Sequence, residues 1–192
     1  MIDEQGKMGR RAVLQGAASL AALELLATRP LAAQATPTTT AVGKPGDFDF
    51  LAGEWRIANR RRRAGADDAW DEFEGEATCW TVLAGGGSIE ELRIPARGFS
   101  GLGIRLLEVE RKVWSDFWIN AKSGVLAVPG QSGVFKDGAG IFVADDVDAG
   151  QPIKVRGVWD RITPSSCRWT QAVSRDGGKS WRDDWVMDWQ RK

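Results

Sequence analysis

The 192-residue sequence has no histidine, no tyrosine and only two cysteines, Cys79 and Cys167. Without imidazole there is no Ser-His-Asp or Cys-His relay, no histidine-ligated zinc or non-haem iron and no proximal histidine for haem. Most hydrolytic and metal chemistry is thereby excluded, and no cofactor or metal is expected. The two cysteines are open to pairing in an oxidising compartment if their alpha carbons come within about 7 Å. Buried free thiols are the default.

A surplus of charge is missing too, because 26 basic residues face 26 acidic ones. Nucleic-acid binding by counterion release needs a basic surplus, so nucleic acid is not an expected partner. The one basic run, Arg60 to Arg63, is offset by Asp67, Asp68, Asp71 and Glu72. It reads as a solvated strand end with a charged hairpin partner.

A membrane-spanning run is absent as well. The apolar stretch from Ala12 to Ala35 is broken by Glu24 and Arg29, each costing about 2.5–3.5 kcal/mol near a bilayer centre. What that stretch does carry is Arg10-Arg11, then Val13-Leu14, then an alanine- and leucine-rich run ending at Ala33-Gln34-Ala35. The pattern resembles a bacterial twin-arginine export signal, a receptor-read address that is cleaved off. The expected organisation is a twin-arginine signal peptide over 1–35, a threonine- and proline-rich flexible linker over 36–46, and a single β-barrel domain over 47–192. The expected partner is the twin-arginine export machinery and the expected location periplasmic or secreted. Neither cysteine lies near the cleavage point, so no lipid anchor holds the mature chain to a membrane.

From Glu54 onward short alternating segments recur between glycine, proline and aspartate turns, the signature of an antiparallel barrel or sandwich. Candidate strands are Glu54–Arg63, Asp71–Leu83, Ser88–Ile94, Ser100–Glu108, Val113–Ala121, Ser132–Lys136, Gly140–Ala144, Pro152–Asp160, Cys167–Ser174 and Trp181–Gln190. So many strands in one small domain predict closure, which removes open edges. In the second strand Phe73, Gly75, Ala77 and Cys79 share one face and Glu72, Glu74, Glu76 and Thr78 the other, giving an acidic exterior. In the last strand Trp181, Trp185, Met187 and Trp189 are expected to face inward. Gly85-Gly86-Gly87 leads into a strand and not a helix, so it is a hairpin loop and no phosphate cradle.

Phe48-Asp49-Phe50-Leu51-Ala52-Gly53-Glu54-Trp55 ends in a Gly-x-Trp that opens the first strand. It resembles the start of a calycin barrel, the superfamily of lipocalins and fatty-acid-binding proteins. Ser123-Gly124-Val125-Leu126, Trp159-Asp160-Arg161-Ile162-Thr163-Pro164, Arg168-Trp169-Thr170-Gln171-Ala172 and Trp185-Val186-Met187-Asp188 extend the likeness over Asp47 to Arg191. Together they resemble a family of secreted bacterial proteins described as a domain of unknown function with a lipocalin-like barrel. The resemblance implies an all-β, antiparallel up-and-down barrel of about ten strands. It also implies a late arginine, Arg182 or Arg191, stacked over Trp55 in a cation–π contact. Separately, Ser174-Arg175-Asp176-Gly177-Gly178-Lys179-Ser180-Trp181 reads as an Asp-box hairpin, a local structural device.

Ten tryptophans are present, and some share strand faces with polar residues that are costly to bury alone, about 1–3 kcal/mol each. The first functional reading is a binder of a small apolar or aromatic molecule inside the barrel. Trp55, Trp114, Trp118 and Trp169 form its wall, and Glu91, Arg93, Asn120 and Gln171 orient the ligand. Against this stands a closed polar network with no cavity left. A second reading is an isomerase, cyclase or hydratase using Glu90, Glu91 or Asp116 as a buried acid or base. A third is an envelope interaction module with exposed strips such as Trp80 with Val82.

Overall fold

The computed structural model describes residues 41–63 and 69–192. The export signal read over 1–35, and residues 36–40 of the linker, lie outside the described residues. Ten antiparallel strands follow one another: β1 (Gly53–Arg62), β2 (Trp70–Val82), β3 (Gly87–Ile94), β4 (Phe99–Glu108) and β5 (Val113–Asn120), then β6 (Gln131–Lys136), β7 (Ala139–Asp148), β8 (Gln151–Asp160), β9 (Ser166–Ser174) and β10 (Arg182–Arg191). Each pairs with its neighbours in sequence, and β1 pairs with β10 from Trp55↔Arg191 to Arg61↔Trp185. The up-and-down barrel expected from the alternating segments is closed.

Closure follows from one-sided strands. On β1, Trp55, Ile57 and Asn59 are buried while Glu54, Arg56, Ala58 and Arg60 are exposed; on β2, Gly75, Ala77 and Cys79 are buried. A sheet with one such face curls round it, and joining first strand to last satisfies both edge ladders. Strand β5 joins β6 through only Trp114, Ser115 and Asp116. Beyond Asp116 the two strands part, and the chain over 121–130 crosses the gap, with the Ala127 N–H donating to the Trp118 carbonyl at 2.9 Å.

One end of the barrel is plugged from inside. A 3-10 turn at Asp49–Leu51 follows Phe48, and Phe48 and Leu51 are fully enclosed. The Phe48 ring meets Trp114 at 4.9 Å, Phe135 at 5.0 Å and Phe142 at 5.6 Å. The Trp55 indole N–H donates to the Leu51 carbonyl at 2.7 Å, and that of Trp114 to Asp47 at 3.0 Å. Part of the stretch read as linker is tied to this end, for the Gly43 N–H donates to the Lys112 carbonyl and the Gly46 N–H to that of Gly85.

Arg191, not Arg182, covers Trp55, its guanidinium 4.3 Å from the ring centre. It also donates to the carbonyls of Ala52 (2.6 Å), Phe50 (2.9 Å) and Pro164 (2.9 Å). The glycine of Gly-x-Trp is thereby explained. Gly53 has φ +120, and a side chain there would begin 2.5 Å from Arg191 Nη1.

Trp181 does not join the inward row of β10. The strand begins at Arg182 and its register shifts between Asp183 and Trp185, leaving Trp181 in the Asp-box hairpin under Arg156 at 4.4 Å. There Asp176 accepts the amides of Lys179 and Ser180, and the Trp181 indole donates to the Gly178 carbonyl. The amide and hydroxyl of Ser180, with the Ser174 hydroxyl and the Lys179 amide, hold the Asp176 carboxyl well below its usual range. Both cysteines are free and buried, and burial pushes the Cys167 thiol up to about 12.

Arg191→Ala is expected to lower unfolding free energy in urea by about 2–4 kcal/mol, since charge-assisted hydrogen bonds are worth roughly 1.5–3 kcal/mol each and not additive. Gly53→Ala is expected to destabilise in the same direction. A wild-type midpoint in both variants contradicts this account of the closed end.

Candidate functional site

The plug fills one end of the barrel, and the rest of the interior holds a cavity of about 400 Å³. Trp118, Trp159, Trp169, Trp185 and Trp189 line it together with Leu92, Val155 and Met187. Its mouth lies beside the gap where β5 and β6 part, bordered by Ala127, Val128, Pro129, Gln131, Asp145 and Asp146. Ala127, Val128 and Pro129 make one side of this rim apolar, and Gln131, Asp145 and Asp146 make the other polar.

The floor of the cavity is charged. Arg105 of β4 points inward and is only 4 % exposed. Its Nη2 donates to Glu90 Oε2, and its Nε stands 3.5 Å from Asp116 Oδ2, an ion pair longer than an ordinary hydrogen bond. The guanidinium sits 5.2 Å from the Phe48 ring centre on the plug side and 5.1 Å from that of Trp159 on the cavity side. A buried cation is tolerated only with such partners. Register explains the meeting: Ser88 lies opposite Arg105, Glu90 opposite Gly103, and Arg105 opposite Asp116.

Burial, reinforced by Glu90, raises the Asp116 carboxyl to about 6 despite the opposing pull of Arg105. The group borders the cavity and retains 17 % exposure. A carboxyl titrating near neutrality beside a cavity is able to exchange a proton with a molecule held there.

The indole N–H groups divide into two sets. Those of Trp55 and Trp114 bond within the plugged end, and that of Trp185 donates to Asn59 Oδ1 at 3.0 Å. Those of Trp159 and Trp189, both lining the cavity, are buried with no hydrogen-bond partner, as are Arg105 Nε and Nη1.

Of the ligand-binding residues read from the sequence, Trp118, Trp169 and Gln171 border the cavity, Gln171 with its amide donating to Asp184 at 3.1 Å. Gly101 makes room for the Trp118 ring, which passes 2.2 Å from where a side chain would begin. Trp55 and Trp114 are enclosed at the plugged end and do not form the cavity wall. Asn120 shares the inward face, but its Oδ1 caps the following turn by accepting the Lys122 N–H.

Glu91 and Arg93 require correction: they lie on the outer face. After Gly87, which is itself buried, the buried residues of β3 alternate as Ser88, Glu90, Leu92 and Ile94. Outside, Arg93 donates to Glu91, Glu76 and Thr78, and Lys192 to Glu76. Both faces of β3 mix polar and apolar residues, so alternation alone leaves the phase of this strand open. Arg105, the residue the sequence reading missed, decides it, because only Glu90 on the inner face reaches that cation. Of the three candidate carboxylates, Glu90 and Asp116 face the interior and Glu91 does not.

The crystal structure of Rv2717c from M. tuberculosis is similar to this chain with a TM-score of 0.47 at 12% identity, covering 75% of this chain and 94% of that one. No protein-family model matches the sequence. No curated protein matches it either.

The raised Asp116 value fixes the sign of a pH effect. The folded state holds this proton more tightly than the unfolded chain, so the group's contribution to stability is complete below about pH 4 and is lost as pH rises through about 6. Asp116→Asn is expected to gain on wild type in unfolding free energy between about pH 4 and about pH 7.5, on the order of 2 kcal/mol. A difference between the two proteins that stays constant with pH contradicts the assignment.

Proposed function

We propose that this is an exported periplasmic β-barrel protein that binds a small apolar or aromatic molecule in the barrel interior. The observation that carries the reading is the cavity, with five tryptophans on its lining. Barrels of this size hold one small ligand, and aromatic walls with a few convergent polar groups are the usual form of such a site. The polar groups here are Arg105, Glu90, Asp116 and Gln171. Flat ligands stack favourably on indole faces, each aromatic pair contributing about 0.5–1.5 kcal/mol beyond burial. The Arg10-Arg11 pattern supports export, and a soluble carrier or receptor for an apolar compound suits the periplasm. Removal of the signal peptide would leave the linker and barrel as the working protein.

Binding is tested with the neutral probe N-phenyl-1-naphthylamine and the chain lacking residues 1–35. Saturable binding of one probe per chain is expected, and Val155→Trp, which fills the cavity, is expected to weaken it about tenfold or more. Unchanged affinity in that variant contradicts an interior site. Export is tested by fractionating cells that express the full chain: wild type is expected in the periplasm, Arg10→Lys with Arg11→Lys in the cytoplasm. Equal distribution of the two contradicts the export reading.

A further inference from the structure

One carboxylate of the cavity has no counter-charge of its own. Arg105 is the one cation on the lining among the described residues, and its Nη2 is bonded to Glu90, both side chains being 5 % exposed or less. Asp116 has only the 3.5 Å ion pair to Arg105 Nε, yet its side chain keeps 17 % exposure and borders the cavity. Glu90 thus takes the cation and Asp116 is the acceptor left within reach. Register brings two amides to the same level. Gln131 of β6 lies opposite Asp116, and Gln171 of β9 opposite Gly157 of β8. Gln131 reaches across to β8, its Oε1 lying 3.0 Å from where a side chain on Gly157 would begin, with Trp169 Nε1 at 3.2 Å from the same point. The Gln171 amide nitrogen is spent on Asp184, which leaves its carbonyl oxygen. Trp118, two residues after Asp116 on β5, and Trp169 are half-buried on the lining. A carboxylate, amide oxygens and indole faces are the groups that hold an organic cation.

The surrounding charge has the same sign. At the mouth Asp145 is paired with Lys154 at 2.5 Å, while Asp146 follows the inward phase of Phe142 and Ala144 on β7. With that pair counted, Glu90, Asp116, Asp145 and Asp146 stand against Arg105 and Lys154. Arg61 over the Trp185 ring and Lys122 on the crossing segment are exposed to water, where screening weakens their effect on the interior. An anion would enter against this field, and a cation is drawn in by it.

We propose that the ligand is an organic monocation, with an ammonium head beside the Asp116 carboxylate and a flat apolar body along Trp118 and Trp169. This rests on the interior-binder reading above and names the charge that the site selects. Enclosing Asp116 under a neutral ligand strips water from a carboxylate and gives nothing back, whereas a cation arriving with the ligand offsets that cost. Acidity acts through the same group. The side chains around Asp116 are Arg105 from β4, Glu90 from β3 and the uncharged Gln131 from β6. Its carboxyl titrates at about 6, so affinity for a cation is complete above that value and falls as pH drops through it.

The test uses three compounds of one shape: (2-naphthylmethyl)trimethylammonium, its uncharged carbon isostere 2-neopentylnaphthalene, and 2-naphthylmethanesulfonate. None of them titrates near neutrality, so any pH effect belongs to the protein. Affinities for the purified full chain are read by displacement of N-phenyl-1-naphthylamine. The ammonium compound is expected to bind about tenfold or more tightly than the sulfonate. Asp116→Asn, expected above to fold at least as well as wild type, is expected to weaken ammonium binding about tenfold or more and hydrocarbon binding by about threefold or less. Lowering the pH from about 7.5 to about 5 is expected to weaken ammonium binding to wild type about tenfold, and to Asp116→Asn by about threefold or less. The wild-type pH profile decides the matter even if the variant folds poorly. Sulfonate binding as tight as ammonium binding, an unchanged ammonium affinity in Asp116→Asn, or a wild-type affinity indifferent to pH overturns the proposal but leaves the binder reading standing. Failure of N-phenyl-1-naphthylamine and all three compounds to bind overturns both.

Discussion

A single buried cation organises the interior of this barrel. Arg105 lies between the Phe48 ring of the plug and the Trp159 ring of the cavity, so it divides a filled end from an open one. Placing a guanidinium there is costly unless carboxylates and aromatic faces surround it. Glu90 and Asp116 supply the charge, and their position follows from the pairing of β3, β4 and β5. Shifting one of these strands by a single residue would move a charged partner to the outer face.

The two ends then differ in how their polar groups are satisfied. At the plugged end Leu51, Asp47, Ala52 and Phe50 receive the N–H groups of Trp55, Trp114 and Arg191. At the open end β5 and β6 separate after Asp116, which removes ladder bonds but admits a cavity and gives it a mouth. Stability is concentrated at one end and accessible chemistry at the other, a common division between scaffold and site.

Much of the fold was legible in the sequence because period-two alternation with charged outer faces leaves few choices. The β2 series Phe73 to Cys79 and the β10 series Trp185 to Trp189 carry that pattern clearly, and closure follows from it. The site was legible only in part. Trp118, Trp169 and Gln171 sit on strands whose inward face is marked by tryptophan. Strand β3 has no such marker, so Glu91 and Arg93 were read as interior when Glu90 is the residue that points in. Arg105 escaped notice because one arginine among alternating residues looks like any solvated charge. Its role appears only when register brings Glu90 and Asp116 beside it, and register is a long-range property. Trp55 and Trp114 were misassigned for a related reason: alternation says which way a side chain points but not how deep along the barrel it lies.

The central claim is that the interior is partitioned, with Trp118 and Trp169 half-buried on the wall of a cavity while Trp55 and Trp114 are sealed at the plugged end. Hydrogen exchange of the assigned indole protons, followed by nuclear magnetic resonance, reads this directly. The account expects the Trp118 and Trp169 protons to exchange with solvent well before those of Trp55 and Trp114. Equal protection of all four, or earlier exchange at Trp55 and Trp114, would contradict it.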